Sequence, residues 1–382
     1  MNASAFPIPT PDPLPLPGPE PILHFLLVAT FFLHALFMNL VLGGTPILVL
    51  TDWVGRRTGR EFYQRLSMTL SNMLPSVTAL AVVLGVAPLL FVQALYGPLF
   101  YTATILIGNV WIAIVGAIIA GYYGLYAYKY WREWLAPRPG LHLAIGCLSA
   151  SLFLGVALVF VTMSVLMLNP ERWKDIQENG FLLALTLPSI LPRYGHMVLA
   201  AIAGMGMFLV CYGLYRGSKW YQPSCADEEE YATWVIRYGV AWTLTGTLPQ
   251  IVVGPWLLLA LPEFVRAELI NGEHAGSIAF FSAMTLALLS LVLLNAALMV
   301  PRSRSLAITG TVCLAGTVSL MVIVRDTVRQ AWVAKHYATS SLPADPQWDV
   351  MVMVAILFVM AMGLIAYVVS ASWKTHGPRL PP

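Results

Sequence analysis

The sequence predicts an all-α, polytopic membrane protein of about nine transmembrane helices, and three observations predict it. Of 382 residues, 58% are hydrophobic and only 10% are charged, with a mean hydropathy of +0.75. That composition excludes a soluble globular domain. Apolar runs that meet the roughly 20 residues needed to cross ~30 Å of hydrocarbon recur along the whole chain. The basic residues also fall unevenly between alternate ends of those runs, as they do in membrane proteins of fixed orientation.

The chain opens with "MNASAFPIPTPDPLPLPGPEP", which has no Lys or Arg and so lacks the basic start of a signal peptide. Residues 1–20 are expected to form a Pro-rich extracytoplasmic tail. The spans are then read at 22–51, 68–96, 99–128, 141–168, 190–215, 233–261, 274–300, 304–326 and 348–373, forming one domain over 21–375. Residues 376–382 are left as a short cytoplasmic tail. Pro46 and Pro88 are expected to kink their helices. No long linker or clear internal repeat appears, and the paired broken helices of many transporters are not evident. With the N-terminus periplasmic and the C-terminus cytoplasmic, 13 of the 21 Lys and Arg lie inside and 7 outside, with Arg237 undecided within its helix. The charge asymmetry thus favours an N-out, C-in orientation. The acidic run Asp227 to Glu230 reads as a solvated loop or a helix start.

The cysteines Cys147, Cys211, Cys225 and Cys313 form no CxxC. Disulfides, zinc and covalent haem are therefore unsupported, and Cys147, Cys211 and Cys313 are read as small core residues. Most acids fall in loops. Only Asp326 is expected to lie within reach of a packed helix end, and spans two and three carry no carboxylate. A chain of acids carrying protons through that half of the protein is missing.

Histidine and methionine are the remaining candidates, because both ligate haem iron. Counting inward from the outer ends, His34, His196 and Met284 lie about twelve, six and ten residues deep, in the outer half of the bilayer at ~1.5 Å per residue. From position alone His34 and His196 read equally as satisfied core residues, and Met284 as a gap-filler. His24, His142, His274, His336 and His376 read as interfacial. "RDTVRQAW" places Arg325, Asp326, Arg329 and Trp332 at the outer end of span eight. It reads either as an interfacial salt bridge capped by a tryptophan or as a site where Arg193, Arg325 or Arg329 pairs with haem propionates.

Along most of the chain these residues resemble cytochrome bd quinol oxidase subunit I. "LHALFMNLVLGG" with "GREFYQRL" resembles that family's first helix and loop, "LGVAPLLFVQALYG" its second helix and "LMLNP" the end of its fourth. "RYGHMVLAAIAGMGMFLV", "AFFSAMTLAL" and "DTVRQAW" resemble its fifth, seventh and eighth helices. The resemblance implies that His34 is an axial ligand of an active-site haem, and that His196 and Met284 are the two ligands of a low-spin haem b. It implies an axial carboxylate at Asp326, one to three haems b with haem d left open, a second integral membrane subunit, and a quinol site whose remnants are Pro262, Arg266 and Glu268.

The departures are specific. Gln93 stands where the family has an acid, the third helix has lost its acid, Asp326 is one methylene shorter than glutamate, and the quinol loop is reduced to "LPEFVRAELINGEHAG". The expected function is accordingly a bd-like b-type cytochrome that passes electrons between the quinone pool and a periplasmic c-type cytochrome or partner subunit, with no role for nucleic acid. The alternatives are an oxygen reductase with an altered proton path and a haem-free structural anchor.

Overall fold

The computed structural model describes residues 6–12, 14–218, 226–271, 275–300 and 303–375. The readings made for Lys219, Cys225, His274, Arg302, His376 and Arg379 lie outside these residues. The described chain is helical throughout, with a single β-bridge between Leu16 and Ala344. The helices are α1 (Glu20–Thr58), α2 (Glu61–Leu106), α3 (Gly108–Tyr130), α4 (Pro139–Met167), α5 (Trp173–Asn179), α6 (Phe181–Ala184) and α7 (Ile190–Arg216). They continue as α8 (Ala226–Thr247), α9 (Gln250–Leu259), α10 (Glu263–Ile270), α11 (Ala275–Met299), α12 (Arg304–Val333) and α13 (Trp348–Thr375).

Seven of them, α1, α2, α3, α4, α7, α11 and α12, are long and apolar enough to cross a membrane. The run at 233–261 is broken into α8 and α9 around Leu248 and Pro249, where proline cannot continue the hydrogen-bond ladder. The last run is α13, whose described apolar part is Trp348–Met360. One boundary differs from the sequence reading. Residues 99–106 belong to α2, which continues past a kink at Tyr96 with φ −127° and ψ 29°. Pro98 causes the kink, because it cannot donate to the Ala94 carbonyl and its ring crowds that oxygen.

Helix α1 is the hub, packing on α2, α4, α7 and α12, while α7 pairs with α8 and α11 with α12. Association in lipid depends on close packing, so small residues mark the tightest contacts. At the α7–α8 crossing a Cβ on Gly239 would lie 2.7 Å from the Val210 backbone nitrogen. The Pro-rich tail is docked: Leu16 donates to Pro343 O (2.8 Å), Asp345 donates to Leu16 O (2.9 Å), and Phe6 stacks on Trp173.

Two sequence expectations are corrected at the end of the bundle where α1 finishes. His142 is fully buried rather than interfacial, and Asp52, read as a loop acid, is also fully buried. Asp52 accepts hydrogen bonds from Tyr128 OH (2.7 Å), Arg132 Nη2 (2.8 Å), Arg56 Nε (3.0 Å) and Ser67 Oγ (3.3 Å). Arg56 Nη2 also reaches His142 Nδ1 at 3.1 Å, while His142 Nε2 lies 2.8 Å from Tyr128 O. Guanidinium only donates, so Nδ1 accepts and Nε2 carries the proton to the carbonyl. His142 Nδ1 lies farther from Asp52, at 3.4 Å. This lock joins α1, α2, the end of α3 and α4. The cysteine reading is corrected too: Cys313 is buried, but Cys147 and Cys211 face outward from their helices.

A second clasp at the same end confirms the acidic run as a helix start. Glu228, in the first turn of α8, pairs with Arg65 from α2 and with Arg216 Nη2 from α7 (2.6 Å). Burial pushes the Glu228 carboxyl up, but its hydrogen bonds to the two guanidiniums outweigh that and hold it below the ordinary carboxylate range.

Two outcomes follow from these pairings. Asp52→Ala strands several buried donors and is expected to cost about 3–5 kcal/mol, read as a fall in melting temperature of the detergent-purified chain, with Tyr128→Phe falling less. Because Glu228 has a lower pKa folded than unfolded, its stabilisation is present above the ordinary carboxylate range and is lost as pH falls through the folded value. Melting curves against pH should therefore show a smaller acid-side loss in Glu228→Gln than in the parent chain.

Candidate functional site

The other end of the bundle gathers imidazole and guanidinium groups from α1, α7 and α12, which all pack on one another. His34 points from α1 toward α2, with Nδ1 at 2.9 Å from Ala81 O. A carbonyl only accepts, so Nδ1 carries the proton and Nε2 keeps its lone pair. The ring fits because position 85 is glycine; a Cβ there would fall 2.8 Å from His34 Cε1 and 2.9 Å from Nδ1.

From α12, the Arg325 guanidinium sits 4.0 Å from the centre of the Phe31 ring, and that ring lies 6.3 Å from His34. Arg325 is within electrostatic range of His34, Arg329 and Arg193. Arg193, on α7, is three residues before His196 and within range of it. The Arg193 Nε and His196 Nδ1 atoms are both shut off from solvent without a hydrogen-bond partner in the described structure. Gln250, the first residue of α9, donates through Nε2 to His196 O at 2.9 Å, so the break in the sixth run positions a side chain against the histidine turn.

Asp326 and Arg329 are buried and paired with each other, and Gln330 Nε2 donates to the second Asp326 oxygen at 2.6 Å. Arg329 also lies over the Tyr96 ring at 5.3 Å, tying the α12 pair to the kink in α2. Asp326 thus offsets Arg329 alone. Arg193 and Arg325 have no carboxylate partner among the described residues, which leaves two like charges in mutual range.

The remaining sequence-predicted residues are placed as follows. Trp332 is buried in the core with Val328 and Val333 rather than lying at an interface. Met284 lies on α11 and is 40% exposed; α11 packs chiefly on α12, α8 and α10. Pro262 caps α10, where Arg266 Nη1 reaches Leu259 O at 3.5 Å and the Glu268 carbonyl accepts from Ser277 Oγ at 2.8 Å. The reduced loop is therefore a short helix packed on α11 and α12.

Sequence reasoning missed Gly85, Tyr96, Gln250 and Phe31. Only Gly85 had a readable signal. Ala81 and Gly85 are small residues one turn apart on α2, a spacing that marks a close approach between membrane helices.

The described residues contain no group of three or more His, Cys, Asp or Glu able to hold a bare metal ion. Two histidines and two unpaired guanidiniums instead fit an iron porphyrin, in which a carboxylate-bearing macrocycle carries the metal. No family model matches the sequence, and no curated protein matches it. The fold is similar to the structure of bd oxidase from Geobacillus thermodenitrificans, with a TM-score of 0.75 over 94% of this chain and 98% of that one, at 15% sequence identity. At that identity the likeness establishes a bd-oxidase-like fold.

The seating of His34 can be tested by a double-mutant cycle. Gly85→Val is expected to destabilise by about 1–3 kcal/mol through overpacking. In the His34→Ala background most of that loss should disappear, because the clashing ring is gone. Additive losses in thermal melts would place Gly85 away from His34.

Proposed function

We propose that this chain is a bd-like b-type cytochrome subunit of a respiratory membrane complex. It would carry electrons between the quinone pool and a periplasmic c-type cytochrome or partner subunit. The observation that supports this best is the pair of guanidiniums without carboxylate partners, Arg193 and Arg325, each within electrostatic range of one histidine. Each histidine has one such cation in range, so a haem held at either one would meet a guanidinium able to pair with a propionate.

On this reading His196 and Met284 hold one haem b, and His34, through Nε2, holds a second. Bound haem supplies one-electron redox chemistry at a potential set by axial ligands, burial and nearby charge. The protein's part is electrostatic and positional. Arg193 and Arg325 neutralise carboxylates, Ala81 and Gly85 fix the His34 ring, and Gln250 holds the His196 turn. Asp326 uses both oxygens on Arg329 and Gln330, so its role here is to anchor Arg329; axial ligation would require that pair to open. Pro262, Arg266 and Glu268 on α10 are the proposed remnant of a quinol site. The chain would sit in a bacterial inner membrane with its N-terminus periplasmic, beside a second integral membrane subunit.

Electron transfer is favoured over oxygen reduction because nothing acidic lines the middle of α2 or α3, and Gln93 accepts a hydrogen bond from Tyr101 OH at 3.2 Å. Protons for oxygen chemistry would need another route.

Spectroscopy of the purified complex decides among these readings. The pyridine haemochrome should report haem b, His196→Ala should abolish the low-spin signal, and Arg325→Gln should lower a haem midpoint potential by removing a nearby positive charge. A chain with no Soret absorbance would refute the cytochrome reading and favour an anchor subunit. A haem that binds carbon monoxide would instead favour oxygen reductase.

A further inference from the structure

Arg237 is the one cation that charge counting assigns to neither end of the bundle, and its surroundings give it a role independent of the proposed haem site. It lines a cavity of about 330 Å³ between α8, the last turn of α11 and the first turn of α12. The polar part is formed by Glu229, Thr233 and Arg237 on α8 with Ser303 and Arg304 at the start of α12; the rest of the wall is apolar, with Ile236, Val240, Leu298 and Ala307. Both guanidiniums therefore line one space, with a single carboxylate beside them among the described residues.

All three groups are exposed, and the carboxylate leaves both guanidiniums with donors open to a further anion. Glu229 lies 3.8 Å from Arg304 Nη2, beyond hydrogen-bond reach, and Arg304 Nη1 is spent on Gly217 O at 3.0 Å. Arg237 makes no ion pair among the described residues. Among the described residues the cavity carries a net positive charge beside an apolar patch of Ile236, Val240, Leu298 and Ala307. It also lies at the arginine-rich end, where α8 is clasped to the start of α2 through Glu228 and Arg65. Arginine suits a phosphodiester through its planar, forked donors. Basic pockets between membrane helices that combine these features select anionic headgroups.

We propose that this cavity binds one anionic phospholipid, its phosphate held between Arg237 and Arg304 and an acyl chain lying along Ile236, Val240 and Leu298. Free phosphate has the same headgroup chemistry but gains nothing from the apolar wall, which favours the lipid.

Native mass spectrometry of the full chain in a neutral detergent tests this, with phosphatidylglycerol, phosphatidylcholine and inorganic phosphate as probes. One phosphatidylglycerol per chain should survive collisional activation that strips phosphatidylcholine, and millimolar phosphate should not displace it. Arg237→Gln and Arg304→Gln should each lower the retained fraction about tenfold, as loss of one charge-assisted hydrogen bond implies, in protein whose melting temperature matches the parent's. Equal retention of the two lipids would overturn the proposal. Displacement by phosphate, or variants that fold and bind like the parent, would overturn it as well. The comparison of lipids on the parent chain stands even if a variant fails to fold.

Discussion

Hydrocarbon supplies no hydrogen bonds, so every polar group within this bundle must be satisfied by the protein or by something bound to it. The two ends of the first helix meet that constraint in opposite ways. At one end Asp52 accepts from Tyr128, Arg56, Arg132 and Ser67, so a buried carboxylate is met by the protein's own donors. At the other, Arg193 and Arg325 lie within electrostatic range of each other, with no carboxylate partner among the described residues. A fold that satisfies one cluster from its own side chains and leaves the other positively charged has a structural lock at the first and, on the reading proposed above, an anion site at the second. Desolvating like charges is costly, so a counter-charge bound there would stabilise the second cluster.

The lock and the site are coupled through helix geometry. Asp52 and His34 lie on the same helix, about 27 Å apart along its axis at ~1.5 Å per residue. Fixing α1 to α2 and α4 at the Asp52 end sets the register in which His34 meets Ala81 and Gly85. The Gly239 contact brings α8 against α7, and the break after α8 then puts Gln250 on the His196 carbonyl. Departures from ideal helix, at Tyr96 and at Pro249, fall beside the candidate site, where straight helices would not bring Tyr96 to Arg329 or Gln250 to α7.

The helical fold and the candidate ligands were legible because they depend on local signals: length of apolar runs, and a costly residue inside such a run. Asp52 and His142 were misread for a different reason. Asp52 stands just past an apolar run, where an acid ordinarily meets water, and its partners lie as far away as Arg132 and His142. Sequence shows no sign of four helix ends converging. The pairing of Asp326 with Arg329 was legible as a spacing of three on one helix. Its link to Tyr96 was not, since it depends on a kink that Pro98 produces at a residue two positions earlier.

The distribution of charge also bears on which way electrons and protons move. The guanidinium cluster lies near the end of the bundle where α1 and α7 begin, whereas the acids of the opposite end are held by arginines, Asp52 by Arg56 and Arg132 and Glu228 by Arg65 and Arg216. A carboxylate fixed by two guanidiniums is a poor proton carrier, because its protonation would break both pairs. Between the two ends α2 presents Gln93 and α3 no acid at all. Electrons tunnel without such carriers, while protons need them. A cofactor at the guanidinium cluster would therefore exchange electrons with partners at its own end of the bundle more readily than it would draw protons from the other.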